Sequence, residues 1–419
     1  MSIEAFLRPI NHSETLLINE RSDRLESSRH VFRFGFGQSP FPVPASVTEV
    51  LRRHAHEKSY LPVQGWQPLR EAVAAFHRQQ DGVDWQSDRV LVGPGSKLLI
   101  YSVMAAFTAA EVLLVSPSWV SYEPQALLAG HQVSRLQTDA ASEWRLSAEQ
   151  LAAFCAERPN PDLPLILVLN YPGNPSGTTY SEVQLQVLAE VMRRHGILVI
   201  SDEIYGMLHH QGEHRSLARY YPEGTLVTGG LSKWCGAGGW RLGVMHVPAA
   251  LADTLLPRLL GVASETWSCV AAPVQHAAAE AYRYGEEIET YVANERRVLS
   301  LLGRRMAAAL SEVEVMTAAP QGGFYLFPDF ERWRTVLADK GITTADELCS
   351  RLLQEAGVAL LPGTAFGMPA TELVARLSYV NFDGTAALET TGDVLDQILQ
   401  PVMEGAAAVT QWLRDIEKT

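Results

Sequence analysis

Between residues 160 and 245 the chain alternates short apolar runs with amphipathic stretches, a pattern that predicts strands separated by helices. Leu165 to Leu169, Ile197 to Ile200 and Thr225 to Thr228 read as strands, with a helix from about Ser181 to His195. Arg89 to Val92 and Val112 to Val115 extend the set upstream. Strands joined by helical crossovers make a largely parallel sheet covered on both faces, where ligands settle beyond the carboxyl ends of the strands.

The flanks read differently. Phe32-Arg-Phe-Gly-Phe-Gly37 alternates and is closed by Pro40, Pro42 and Pro44, which predicts a short edge strand and a loop. Ser46 and Glu49 have capping-box spacing, so a helix is expected to start there with Val47, Val50 and Leu51 inward. A second helix runs from about Pro68 to Gln79, with Leu69, Val73 and Phe76 on one stripe. Gly93-Pro-Gly-Ser-Lys97 then precedes an apolar helix expected from Leu98 to about Ala110. Strand, glycine turn and helix start point N–H groups at one spot, as an anion requires.

Past Gly243 a long amphipathic run from about Val274 to Leu310 leads into an α+β pattern. Gly322 to Phe327, Val358 to Leu361 and Val374 to Val380 read as strands, with helices near Thr344 to Gly357 and from about Ala386. Two domains are expected: a large one over 47–290, and a small one over 291–419 that residues 1–46 join.

Composition narrows the partners. The 419 residues are 47% apolar with a formal charge of −13. That balance disfavours nucleic acid and anionic lipid, which select basic patches, and suits a small molecule. Cys155, Cys235, Cys269 and Cys349 lack CxxC or Cys/His ligand spacing, so no disulfide framework and no metal site are expected. With neither a signal-like start nor a membrane-length apolar run, the expectation is a cytoplasmic protein.

Three stretches carry chemistry. Asn170-Tyr-Pro-Gly-Asn-Pro-Ser-Gly177 is a rigid turn, and Ser201-Asp-Glu-Ile-Tyr205 ends an apolar strand on a carboxylate that needs a positive partner. The third, Thr228 to Gly243, sets Lys233 among small residues, where apolar surroundings and Arg241 lower an amine pKa enough for attack on an aldehyde.

Together, Asn-Pro-Ser-Gly at 174–177, Asp-Glu-x-Tyr at 202–205, Ser-Lys at 232–233, Gly-Trp-Arg at 239–241 and Arg376 resemble the class I/II aminotransferases, fold type I enzymes of pyridoxal 5'-phosphate. The resemblance spans about Phe34 to Asn381. It implies a large domain with a mostly parallel seven-stranded sheet flanked by helices, plus a smaller α+β domain. It also implies that Lys233 holds the cofactor as a Schiff base and moves the proton, and that Asp202 pairs with the pyridine nitrogen. Tyr205 and Asn174 would donate to the phenolic oxygen, with Trp119 beside the ring. Gly95, Ser96, Lys97, Ser232 and Arg241 would hold the phosphate, joined by Tyr60 from a neighbouring subunit of a homodimer. Arg376, with Gly37 and Asn174, would take the substrate α-carboxylate. Lys97 resembles a lysine that meets the second carboxylate of acidic substrates in some aspartate and prephenate aminotransferases. Its other role is at the phosphate or in solvent.

The implied reaction moves an amino group between an L-amino acid and a 2-oxo acid. Trp234-Cys-Gly-Ala-Gly238 and Gly230 depart from the usual family pattern, which puts an ordinary aspartate enzyme in doubt. Elimination or cyclisation on the same cofactor, as in aminocyclopropane carboxylate synthesis, stays open. A non-catalytic regulator built on the fold would carry an added helix-turn-helix domain, for which the roughly 40 residues before the first helix leave no room.

Overall fold

The computed structural model describes residues 30–418 together with Ile18, Glu20 and Ser22. In chain order the strands are β1 (Phe32–Arg33), β2 (Val90–Gly93), β3 (Glu111–Ser116), β4 (Gln132–Gln137), β5 (Leu165–Asn170), β6 (Leu198–Asp202), β7 (Thr225–Gly230), β8 (Gly243–His246), β9 (Tyr325–Leu326), β10 (Val358–Ala359), β11 (Leu361–Pro362) and β12 (Ala375–Ser378). Seven of them form one sheet in the order β2-β8-β7-β6-β5-β3-β4. Only β8 runs against its neighbours, so the sheet is mostly parallel, as expected.

The near-continuous apolar runs of these strands follow from burial on both faces. Along β5, Ile166 and Val168 pack into one cluster with Leu99 and Ile100 of the helix Ser96–Ala105. Leu165, Leu167 and Leu169 face the opposite cluster, with Leu185 and Leu188 of the helix Glu182–Arg194. Period-two side chains thus tie one strand to two helical layers. Register then places Asn170 opposite Asp202, and Asp202 opposite Thr228, at the carboxyl ends of three adjacent strands.

Beyond the sheet, β11, β12 and β9 form an antiparallel trio, and β1 pairs with β10 in parallel. Phe32 and Arg33 are thereby tied to the C-terminal part of the chain. Gly405, in the helix Gly392–Lys418, lets that helix lie on Phe34, because a Cβ there would meet the ring at 2.3 Å. No helix among the described residues is long and apolar enough to cross a membrane.

Several boundaries differ from expectation. The helix expected from Ser46 is Ala45–Arg53, with Pro44 at the cap position and no side-chain cap. Ser46 therefore lies inside the first turn, its hydroxyl buried without a partner, and Glu49 pairs with Arg52. The helix after the glycine turn is Ser96–Ala105, two residues earlier than expected, which leaves Gly95 as its N-cap at φ 86°. The run from 274 to 310 is two helices, Ala272–Arg283 and Glu286–Ser311, broken where Tyr284 adopts φ 51°. The strand expected over 322–327 shrinks to β9, and that over 358–361 splits into β10 and β11. Strands β4 and β8 had no expectation: β4 is an edge strand of mixed polarity, and β8 is a short run beginning on a glycine.

Candidate active site

At the carboxyl ends of β5, β6 and β7 a pocket of ≈ 280 Å³ opens toward Arg376 on β12 and the loop around Gly37. The sheet sets its floor. Asp202 is 2% exposed, and its Oδ2 accepts from the Tyr122 hydroxyl at 2.7 Å while Oδ1 accepts from the Thr228 hydroxyl at 3.2 Å. Asn170 donates to the Asp202 carbonyl at 2.8 Å and, through its own side-chain oxygen, takes the Asn174 N–H at 2.8 Å, which fastens the turn to the strand beside it.

No cation pairs with Asp202 among the described residues, where its side-chain partners are hydroxyls. Burial pushes its carboxyl up to about 6, against the lowering pull of Tyr122, Thr228 and the Ile204 backbone. Behind it, Glu203 is saturated by Ser201, Ser216, Tyr171 and His214, so that second carboxylate is turned away from the pocket.

Lys233 follows β7 and extends across the opening. Its amine donates to the Gly37 carbonyl at 2.8 Å and lies 5.4 Å from the centre of the Tyr205 ring. Burial, then the charges of Arg376 and Arg241, lower its pKa to about 8, although Asp202 pulls the other way. An amine with that pKa has an appreciable neutral, nucleophilic fraction near neutral pH.

On one side of the pocket the first turn of the helix Ser96–Ala105 brings the Ser96 and Lys97 N–H groups toward Arg241 and Ser232. The approach is close: a Cβ at Gly95 would meet Nη2 of Arg241 at 2.3 Å, and one at Gly243 would meet Gly95 C and Ser96 N at 2.4 Å. Arg241 donates to the Gly238 and Pro94 carbonyls. The Lys97 ammonium stands 5.4 Å from the Trp119 ring centre, and partial burial and then Arg241 lower its pKa.

On the other side Arg376 is 1% exposed. One of its nitrogens donates to Asn174 Oδ1 at 3.0 Å and another to the Gly35 carbonyl at 2.6 Å, while buried Nε has no partner. Its guanidinium stacks on Tyr325 at 4.8 Å and Phe366 at 5.1 Å. Tyr205 is held by a hydroxyl contact of 2.9 Å with Tyr325.

The structure thus brings together Gly37, Ser96, Lys97, Trp119, Asn174, Asp202, Tyr205, Ser232, Lys233, Arg241 and Arg376, with Gly95 behind the helix start. Gly37 meets Lys233, while Gly35 and Asn174 hold Arg376. Tyr60 is not among the pocket's lining residues, and it is 92% exposed. Sequence reasoning missed Tyr122, Thr228, Asn170 and Tyr325. Thr228 and Asn170 were recoverable, since each lies at or near the carboxyl end of a strand beside the one closed by Asp202.

Outside the pocket, His54, Glu57 and His276 each bring a donor atom within 4.8 Å of the others. The two imidazoles stack 4.0 Å apart and 6° from parallel. Their in-plane lone pairs run side by side instead of converging on one ion.

Comparison with known proteins matches the family described as aminotransferase class I and II over residues 29–383. The chain is 30% identical to an aspartate aminotransferase of Geobacillus stearothermophilus, covering 96% of this chain and 99% of the relative. It is 29% identical to an asparagine–oxo-acid transaminase of Streptococcus mutans, over 88% and 92% of the two chains. Among solved structures, an aspartate aminotransferase of Thermus thermophilus with maleate superposes at a TM-score of 0.80, with 26% identity over 95% of this chain and all of the other.

Proposed function

Because the chain belongs to the class I and II aminotransferases, we propose that it binds pyridoxal 5'-phosphate and transfers the amino group of an acidic L-amino acid to a 2-oxo acid. The observation that carries this reading is one pocket holding a depressed-pKa lysine, a buried carboxylate without a cation, and a fully buried arginine with free fork positions.

The residues fit the cofactor. Asp202, whose side-chain partners are hydroxyls, would take the protonated ring nitrogen as its missing cation; the backbone N–H groups of Ser96 and Lys97, the Ser232 hydroxyl and the Arg241 guanidinium would hold the phosphate; and Tyr205 and Asn174 would serve the phenolic oxygen. When bound, the cofactor supplies an aldehyde for amine exchange and a ring that accepts electron density. Lys233 is the nucleophile and then, once freed, the base that carries a proton to and from the substrate Cα. Arg376 grips the α-carboxylate and so fixes which Cα bond faces that amine. Asp202 keeps the ring nitrogen protonated, and its burial strengthens the pairing.

Lys97 supports the acidic substrate. It is a cation at the pocket rim, and among similar structures is an aspartate aminotransferase with maleate, a dicarboxylate. In this reading the enzyme is a cytoplasmic homodimer, with the exposed Tyr60 serving the partner's phosphate site. Residues 47–290 form the cofactor-binding domain, and 291–419 the smaller one, which the N-terminal segment joins.

The test is a half-reaction screen. Aspartate or glutamate should bleach the visible cofactor band and leave pyridoxamine phosphate, and Lys97→Ala should lose dicarboxylates selectively. Ammonia and oxo acid released without pyridoxamine phosphate contradicts transfer, and equal loss for every donor assigns Lys97 to the phosphate.

A further inference from the structure

The hydroxyl of Tyr205 needs a defined direction if it is to serve the pocket, and the protein sets that direction through a residue the reading above leaves without a role. Tyr325 lies in Gly322-Gly-Phe-Tyr325, where β9 pairs with β12 so that Tyr325 stands opposite Ser378, two residues from Arg376. It is 1% exposed, and its oxygen lies 2.9 Å from that of Tyr205, itself 3% exposed.

One proton sits between two oxygens, and the surroundings decide whose it is. The hydroxyl of Tyr325 has no other hydrogen-bond partner among the described residues. If Tyr205 donated, its own proton would be spent inside the pair, and the Tyr325 proton would be the one offered to the pocket that both residues line. If Tyr325 donates, its proton is satisfied and the Tyr205 proton is free to point into the pocket, which Tyr205 lines. Charge favours the second direction. Burial tightens the protons of both phenols and the Arg376 charge loosens both, but that guanidinium stacks on the Tyr325 ring at 4.8 Å and weighs more there, which makes Tyr325 the more willing donor, while Asp202 adds a smaller pull on the Tyr205 proton. The backbone makes room for the contact at Gly37, where a Cβ would fall 1.9 Å from the Tyr325 oxygen.

We propose that Tyr325 is a positioning residue that donates to Tyr205 and so commits the Tyr205 proton to the pocket, linking the carboxylate-binding Arg376 to the group that faces the cofactor's phenolic oxygen. The inference rests on the reading of the pocket given under the proposed function. Donation into Tyr205 polarises it and strengthens its own outgoing hydrogen bond.

Tyr325→Phe tests this, because phenylalanine keeps the ring beneath Arg376 and removes only the hydroxyl. The readout is the pH midpoint of the visible band of the cofactor-loaded enzyme, measured with no substrate. A weaker bond from Tyr205 should raise the midpoint by about one pH unit. The turnover number should fall roughly fivefold while KM for the amino donor stays within about twofold. Tyr205→Phe should raise the midpoint further, and the double variant should match Tyr205→Phe alone, since Tyr325 acts through Tyr205. A Tyr325→Phe midpoint equal to wild type overturns the proposal. So does a shift that adds in full to that of Tyr205→Phe, or a raised KM with an unmoved midpoint, which would assign Tyr325 to Arg376 alone. A wild-type protein that shows no visible band when supplied with the cofactor overturns this inference and the proposed function together; a coloured wild type with an unmoved variant overturns this inference only.

Discussion

Tyr122→Phe removes one hydroxyl from a buried carboxylate, and its effect on stability can be worked through in the cofactor-free protein. Burial carries Asp202 from 3.8 to about 6, a shift of about two units that corresponds to about 3 kcal/mol. A carboxyl whose pKa is raised on folding holds its proton more tightly when folded. Stability is therefore lost as pH climbs from about 4 to about 6, and the whole penalty is present above that. Tyr122 limits the penalty through its 2.7 Å bond to Oδ2. A hydrogen bond to a charged group contributes about 1.5–3 kcal/mol, so its removal should raise the Asp202 pKa by a further unit or two. Urea unfolding of wild type and variant at pH 5 and pH 8 separates charge from packing. At pH 5 the carboxyl is mostly protonated in both proteins, and the difference should be small. At pH 8, where the variant carboxyl is largely but not fully ionised, the variant should be less stable by an additional ~1–2.5 kcal/mol. Equal losses at the two pH values would refute the argument and reduce Tyr122 to a packing residue.

Other perturbations address the remaining parts of the pocket. Gly243→Ala drives a Cβ to 2.4 Å from the Gly95–Ser96 backbone, so cofactor affinity measured by fluorescence titration should fall about tenfold with the fold retained; unchanged affinity would mean that this close approach does not shape the phosphate side. Arg376→Lys keeps the charge but loses the planar fork, and KM for the amino donor should rise roughly 10–100-fold, more than kcat falls; an unchanged KM would place the α-carboxylate elsewhere. Mixing Tyr60→Ala with Lys233→Ala subunits should give more activity than the two parents summed, because a hybrid dimer regains one intact site; no gain would leave Tyr60 a surface residue.

The sheet was legible because strands buried on both faces read as unbroken apolar runs, and Asp202 stood out as a carboxylate closing such a run. Strand β4 was not, because an edge strand of Gln132-Val-Ser-Arg-Leu-Gln137 has no apolar face to display. Ser46 and Glu49 looked like a capping box, but a cap depends on where the first turn begins, and Pro44 sets that two residues early. Within the site, Lys233, Asp202 and Arg241 were found because each belongs to a local motif. Tyr122 and Tyr325 were not, since the partners that give them meaning are 80 and 120 residues away in the chain. Nor did local sequence show that the carbonyl meeting Lys233 belongs to Gly37, 196 residues earlier.

The central claim is that the amine of Lys233 is where the cofactor is held and where the substrate proton is moved. Supplying pyridoxal 5'-phosphate to wild type and to Lys233→Ala, with borohydride reduction and mass analysis of the digested protein, tests it most directly. The account predicts a visible band and a modified peptide containing residue 233 in wild type only, with turnover in the variant lower by roughly 10⁴-fold. Label on a different lysine, or an alanine variant that turns over at the wild-type rate, would contradict it.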